Sequence, residues 1–325
     1  MILASHPIFK TNPFLQALPE AEQHRIASLT VEAAELLTEW SASFSAVRPV
    51  RILPICLSVA AAAPFADLQA IVDTARVSVW IFALDDLFDE GQFTPAQLAL
   101  KAEHYERILL ERPVRAADDE LATILRQVKA SLAEHSLYGQ LGTEWAQALN
   151  GTIQAMRQEN EWAAAFQQNQ LAAMPNYDEY LDCGRRSVGG PPHMWAAILT
   201  TNDSTAAQQR AFLGRMVDQS AAIIRLANDL QTYERELAEG KLNSLQILCH
   251  APHDDRLPAG ASIHDASQYV QAQIEETLDQ LLAMGQQPRT VTGRPERALV
   301  RIAQYVAEFY RRNDFHTAMG QGVPG

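Results

Sequence analysis

Two short segments carry oxygen-bearing side chains at spacings that could hold divalent cations. The first is Leu84-Asp85-Asp86-Leu87-Phe88-Asp89-Glu90. On a helix, spacings of three and four set Asp85 and Asp86 beside Asp89, with Glu90 adjoining. Like charges then crowd one helix end, where the helix dipole also disfavours carboxylates. Divalent cations reverse both penalties, and oxygen-only donors suit Mg²⁺, which takes one or two carboxylates, keeps several waters and accepts phosphate oxygens for the rest. The second segment holds Asn228, Thr232 and Glu236. Steps of four along a helix drift by only about 80° while rising about 12 Å, so one amide oxygen, one hydroxyl and one carboxylate can share a cation. The plainer alternatives are an acidic solvated helix end before Gly91 and a polar stripe on a surface helix.

Both segments follow apolar runs that must position them. From Val77 to Leu84 only Ser78 is polar, so a helix there is apolar on every side and belongs in the middle of a bundle. Ala221, Ala222, Ile223, Ile224, Leu226 and Ala227 lead into the second segment in the same way. Apolar residues recur at three and four spacing over 21–44, 121–137, 141–166, 206–237, 266–284 and 295–319, and no comparable stretch alternates with period two. Glycine and proline are sparse and gather between these stretches, near 48–54, 91–95, 174–176, 189–192, 240–243 and 250–261. None of these breaks reads as an interdomain linker and no internal repeat is seen. The expectation is an all-α fold with a single domain over residues 1–325.

Asp-Asp-x-x-Asp at 85–89 followed by Asn-Asp-Leu-x-Thr-x-x-x-Glu at 228–236, in a helical chain, closely resembles the bacterial class I terpene synthases. Arg225-Leu226-Ala227 before the second segment, and Gly240, Lys241, Asn243 and Ser244 after it, extend the likeness. The resemblance implies a helical bundle around a central cavity. It implies two Mg²⁺ at the first motif and a third at the second, gripping the diphosphate of an isoprenoid. By position, Asp85 and Asp89 would lead the first site, supported by Asp86 and Glu90, and Asn228, Thr232 and Glu236 would form the second. Tyr180-Leu181-Asp182-Cys183-Gly184-Arg185-Arg186-Ser187-Val188-Gly189-Gly190-Pro191-Pro192 looks like the family segment where an arginine senses diphosphate beside a broken helix. Arg185 is the first choice for that sensor, Arg186 its competitor, and Gly189 the break. Arg225 and Lys241 are further diphosphate candidates. The C-terminus departs from the family's Arg-Tyr pair, offering Arg311 or Arg312 instead.

The implied chemistry is metal-assisted ionisation of an allylic diphosphate, followed by rearrangement of the carbocation in an apolar pocket whose aromatic faces stabilise positive charge. Trp80, Phe82, Phe88, Trp162, Tyr177, Trp195 and Tyr305 are candidates for that lining, each equally readable as plain core. The Ser187–Pro192 and Ile81–Leu84 segments look more like diterpene synthases, favouring a C20 substrate, linear geranylgeranyl diphosphate or a bicyclic labdane- or clerodane-type diphosphate from a partner class II cyclase, with farnesyl diphosphate as the alternative. No Asp-x-Asp-Asp occurs, so the expected start is loss of diphosphate rather than protonation of an alkene. A chain-elongating prenyltransferase would carry a second Asp-Asp-x-x-Asp. A non-catalytic scaffold would leave two metal-ligand stripes at buried helix ends without purpose, and an EF-hand would need a loop absent here.

A net charge of −13 gives no basic footprint for nucleic acid or an anionic membrane, so a polyanionic ligand must be met through metal cations. Cys56, Cys183 and Cys249 lie far apart and outside any CxxC spacing, which reads as reduced core thiols. No signal-peptide pattern opens the sequence and no apolar run reaches 18 residues, so a cytoplasmic setting is expected. A homodimer is compatible with the sequence.

Overall fold

Helices begin and end where local chemistry dictates. Thr94 and Gln97 form a reciprocal capping box around Pro95, Asn176 and Glu179 form another, and Ser262 and Asp265 a third. In the computed structural model, which describes residues 11–89, 92–114, 117, 119–168, 174–250, 256–258, 260–313 and 315, these starts belong to an all-α architecture. The helices are α1 (Pro13–Gln16), α2 (Glu20–Ser41), α3 (Ile52–Ala62), α4 (Leu68–Asp89), α5 (Pro95–Leu109), α6 (Glu120–Ala133) and α7 (Tyr138–Gln167). Then come α8 (Tyr177–Ser187), α9 (Gly190–Leu199), α10 (Arg210–Glu239), α11 (Ser244–His250), α12 (Ile263–Gln286) and α13 (Arg294–Tyr310). Short 3₁₀ turns cover Pro49–Arg51 and Ala206–Gln209.

The apolar helix expected at 77–84 is the inner part of α4, which packs on α2, α3, α6, α7 and α9. Val72, Val77, Val79 and Leu84 are buried around it, each contributing about 1.5–3 kcal/mol by leaving water. That burial holds the acidic end of α4 in place against its own repulsion. α9 is buried along its whole length and touches α4, α7, α10 and α13. α10 lies against α8, α9, α12 and α13.

Two expected breaks are narrower than their prolines suggested. At 189–192 the chain turns at Gly189 alone, whose φ is +73°. Pro191 and Pro192 lie in the first turn of α9, where a missing N–H costs nothing and φ is already set. Pro54 is likewise the third residue of α3. Cys56, Cys183 and Cys249 are free, and burial pushes the Cys56 thiol up to about 12. Among the described residues, no helix is long and apolar enough to cross a membrane.

Candidate active site

The two motifs meet. The C-terminal end of α4 and the later turns of α10 border one cavity of about 150 Å³. Asp85 and Asp89 reach it from α4, Asn228 and Glu236 from α10, Glu159 from α7, and Lys241 from the turn after α10. Ile81, Phe82, Phe88, Met156, Trp162 and Tyr310 supply its apolar wall. Sequence spacing had put each motif on one helix face, and the fold turns the two faces toward each other.

Charge is unevenly settled there. Burial, then Asp89 and Asp86, push the Asp85 carboxyl up to about 8, with Lys241 offsetting part of the effect. Lys241 Nζ lies 2.7 Å from Asp89 Oδ2 and 3.0 Å from Glu239 Oε2. Burial opposes the Lys241 charge, but Asp89 outweighs it and raises the ammonium well above its usual range. Asp86 points elsewhere: Arg51 meets both its oxygens at 2.8 and 2.9 Å, and Arg48 Nε lies 2.9 Å from Oδ2. It locks the Pro49–Arg51 turn onto α4 and does not border the cavity, which corrects its expected supporting role. Glu90 lies outside the described residues. No three carboxylate, imidazole or thiol groups among the described residues gather where one metal could sit. What remains is the Asp85 and Asp89 pair opposite an amide and a carboxylate. This all-oxygen set, with a carboxyl whose charge is disfavoured as it stands, fits Mg²⁺.

On α10, Asn243 donates Nδ2–H to Glu236 Oε2 at 2.8 Å and to the Asp229 carbonyl at 3.0 Å, so the residues after the helix orient its last candidate ligand. Thr232 is buried, donates its hydroxyl to the Asn228 carbonyl at 2.9 Å and, unlike Asn228 and Glu236, does not border the cavity. Arg225 is the buried cation of the site. Its Nε lies 2.9 Å from Asp229 Oδ1 and its Nη1 3.1 Å from Glu159 Oε1. Nη2 donates to the Tyr180 hydroxyl, and the guanidinium stands 4.9 Å from the Tyr180 ring centre. Burial opposes the charge, yet Asp229 and Glu159 raise the Arg225 pKa well above its ordinary value. Burial also pushes Asp229 up to about 7, with Arg225 opposing and Glu236 adding to the rise.

Arg185 and Arg186 are not in the cavity. Both are held by Asp182, Arg186 at 2.9 Å, on the outer side of α8. The inward face of that helix carries Tyr180, Gly184 and Ser187, spaced by four and three. Gly184 leaves room for Arg225: a Cβ there would fall 2.9 Å from Nε and 3.0 Å from Cγ. Of the three arginines, Arg225 borders the cavity and Arg185 and Arg186 do not. Gly189 breaks the helix as expected, pressed against Ile81. Arg311 pairs with Glu308 at 3.4 Å and borders a separate groove, and Arg312 is exposed.

Of the seven proposed aromatics, Phe82, Phe88 and Trp162 border the cavity. Trp80 instead donates to the Leu121 carbonyl at 2.8 Å and meets Tyr105 edge-on. Tyr177 packs edge-on against Tyr269, Trp195 is buried near Gly214, and Tyr305 stacks on Phe309. Glu159, Asn160, Tyr180, Arg235 and Tyr310 also border the cavity and were missed. Glu159 and Asn160 had no signal, lying within a long amphipathic helix, whereas Tyr180 stood in the segment singled out for its arginines.

Comparisons with known proteins bear on the family and the fold. Among sequence relatives, a bifunctional cis-abienol synthase, chloroplastic, of Abies balsamea is 26% identical over 188 residues, 54% of this chain and 20% of that protein. A stemar-13-ene synthase of Oryza sativa subsp. japonica is 25% identical over 248 residues, 71% of this chain and 29% of that protein. The chain thus spans under a third of the length of these curated relatives. Among solved structures, a linalool/nerolidol synthase from Streptomyces clavuligerus in complex with 2-fluorogeranyl diphosphate superposes with TM-score 0.65 at 17% identity, covering 87% of this chain and 94% of that one. Abietadiene synthase from Abies grandis gives TM-score 0.69 at 18% identity, over 90% and 38%. An isoprene synthase from grey poplar, in complex with three Mg²⁺ ions and dimethylallyl-S-thiolodiphosphate, gives 0.68 at 19%, over 90% and 56%. These likenesses establish the class I terpene synthase fold. Residues 76–280 match the family described as terpene synthase family 2, C-terminal metal binding, and the chain belongs to that family.

Proposed function

We propose that this chain, as a single domain, is a class I terpene synthase that ionises a prenyl diphosphate and steers the resulting carbocation to a terpene. The observation that carries this reading is the convergence of Asp85 and Asp89 with Asn228 and Glu236 around one cavity that also holds the buried Arg225. Asp85 and Asp89 would hold Mg²⁺ at one side, and Asn228, Thr232 and Glu236 at the other, three ions in all. Bound Mg²⁺ would supply Lewis-acid stabilisation of the charge developing on the leaving diphosphate. Arg225 and Lys241 supply charge-assisted donors to the same oxygens. Phe82, Phe88, Trp162 and Tyr310 line the cavity and would exclude water and stabilise the cation.

A C20 substrate, linear or bicyclic, is the preferred reading, with farnesyl diphosphate the alternative. The Ser187–Pro192 segment and the relatedness to the cis-abienol and stemar-13-ene synthases support it. The reading also allows a separate class II cyclase as supplier of a bicyclic diphosphate. Incubation with C10, C15, C20 and bicyclic C20 diphosphates tests it, with mass spectrometry of the products. Diphosphate release should need Mg²⁺ and only one prenyl diphosphate. Release only when isopentenyl diphosphate is added would mean a prenyltransferase instead.

A further inference from the structure

Each nitrogen of Arg225 already has a partner. Nε lies 2.9 Å from Asp229 Oδ1, Nη1 lies 3.1 Å from Glu159 Oε1 and 3.4 Å from Ser187 Oγ, and Nη2 donates to the Tyr180 hydroxyl. One positive charge thus faces two carboxylates, and the two differ in kind. Asp229 stands one turn along α10 from Arg225, its side chain is 0% exposed, it accepts from the Tyr180 hydroxyl at 3.1 Å, and it does not border the cavity. Glu159 comes from a different helix, α7, its side chain is 27% exposed, and it does border the cavity. Asp229 is therefore the fixed counter-charge, and Glu159 is the anion that a ligand entering the cavity meets at Arg225.

Glu159 is not at ease there. Burial pushes its carboxyl up, Arg225 and then Ser187 oppose the rise, and Glu236 and Asp89 add to it. Both of those carboxylates border the same cavity. A diphosphate oxygen directed at Nη1 would arrive where the Glu159 carboxylate already lies. Two anions at hydrogen-bond distance from one guanidinium edge repel strongly where water is scarce, so they exchange for that edge rather than share it.

We propose that Glu159 is a built-in competitor for Arg225, yielding the guanidinium when diphosphate enters with Mg²⁺ and taking it back after ionisation, so that the spent diphosphate is let go. The proposal rests on the ionisation reading above, with Arg225 as a donor to diphosphate. Glu159 makes and breaks no covalent bond and moves no proton. Arg225 and Lys241 would hold the product diphosphate as they hold that of the substrate, and a competing carboxylate inside the site limits that hold.

The test measures binding of inorganic diphosphate with Mg²⁺ to the full chain by calorimetry, and inhibition of turnover by the same ligand. Glu159→Gln keeps size and a hydrogen-bonding group but removes the competing charge. Its Kd should be lower than that of wild type by roughly fivefold or more, with inhibition by added diphosphate stronger to match. Glu159→Asp keeps the charge in the cavity but draws the carboxylate back from Nη1. It should give a smaller gain in the same direction, and it decides the matter should circular dichroism show that Glu159→Gln folds poorly. Glu161→Gln removes an exposed carboxylate from the same helix and should leave Kd unchanged. Unchanged or weaker binding in folded Glu159 variants would overturn the proposal, because a carboxylate that only positions Arg225 costs affinity when it is lost. A raised Mg²⁺ requirement in Glu159→Gln would also overturn it, by making Glu159 a metal ligand, as would an equal gain in Glu161→Gln, which would reduce the effect to net charge. Failure of the wild-type chain to release diphosphate from any prenyl diphosphate would instead remove the ionisation reading, whereas the Kd comparison uses inorganic diphosphate and reports on Glu159 by itself.

Discussion

Neighbouring carboxylates in one motif have opposite stability roles. Asp86 is gripped by Arg51, whose side chain is 4% exposed, and by Arg48, so Asp86→Asn leaves a buried guanidinium short of its counter-charge. That should cost about 3 kcal/mol. Asp85 carries a charge that burial and Asp89 disfavour, so Asp85→Asn should leave the metal-free protein as stable as wild type or more so, while abolishing turnover. Urea titration of both variants without metal decides this, since equal losses would place both carboxylates in the scaffold. At Arg225 the decisive neighbour is a glycine. Gly184→Ala would drive a methyl into a guanidinium fixed by Asp229, Glu159 and Tyr180. We expect a loss of about 1–3 kcal/mol and much weaker binding of diphosphate with Mg²⁺, while Arg185→Ala leaves that binding intact. Calorimetry on the two variants makes the comparison, and the reverse order would return the sensor role to Arg185.

Connections between elements show a second use of carboxylates. Asp203, in the turn after α9, accepts hydrogen bonds from the amide and hydroxyl of Thr205 at 2.9 and 2.6 Å. It also accepts from the amide and hydroxyl of Thr292 at 2.8 and 2.5 Å, tying that turn to the one before α13. Burial opposes its charge, but the Thr205 and Thr292 bonds win and lower its pKa from 3.8 to about 2. A carboxylate depressed in the folded state stabilises it above the unfolded pKa, and the gain fades as pH falls from about 4 toward 2. Asp203→Asn should therefore cost about 2 kcal/mol at pH 7 and show a shallower acid loss over that window. Denaturant midpoints at pH 7, 4 and 2.5 measure this, and parallel curves for variant and wild type would refute it. Much of the element plan was legible beforehand. The apolar run ending at Leu84 announced a central helix, because a helix apolar on all sides has no other stable place. Helix faces that depend on a partner were not legible. Nothing in Arg185-Arg186 says that Asp182 holds both outside, nor that Gly184 is small for the sake of Arg225. Aromatics at helical spacing gave the same pattern whether they met a cavity, as Phe82 does, or a carbonyl of another helix, as Trp80 does.

At the scale of the whole molecule, the net charge of −13 and the acidic ends of α4 and α10 set how ligands can enter. Inorganic diphosphate without metal meets Asp85, Asp89, Glu159 and Glu236 around one cavity, and repulsion at such distances is weakly screened once groups are partly buried. Metal without diphosphate meets a pair of carboxylates already drawn on by Lys241 and lacks most of its oxygens. Each component is therefore expected to need the other, because Arg225 is already paired with Asp229 and Glu159 and Lys241 with Asp89 and Glu239, so that these two cations alone offer diphosphate little uncompensated charge. A ligand that binds the native state alone stabilises it by about 2.7 kcal/mol at a hundredfold excess over Kd. For a chain of this size that is a rise in Tm of roughly 5 °C. Thermal unfolding with Mg²⁺, with diphosphate and with both should show this rise only for the pair, larger at low ionic strength. It should vanish in Asp85→Asn and Gly184→Ala and persist in Arg185→Ala. Equal stabilisation by diphosphate alone would mean that the chain's own cations suffice, and the reading of the two acidic helix ends as a shared metal site would have to be given up.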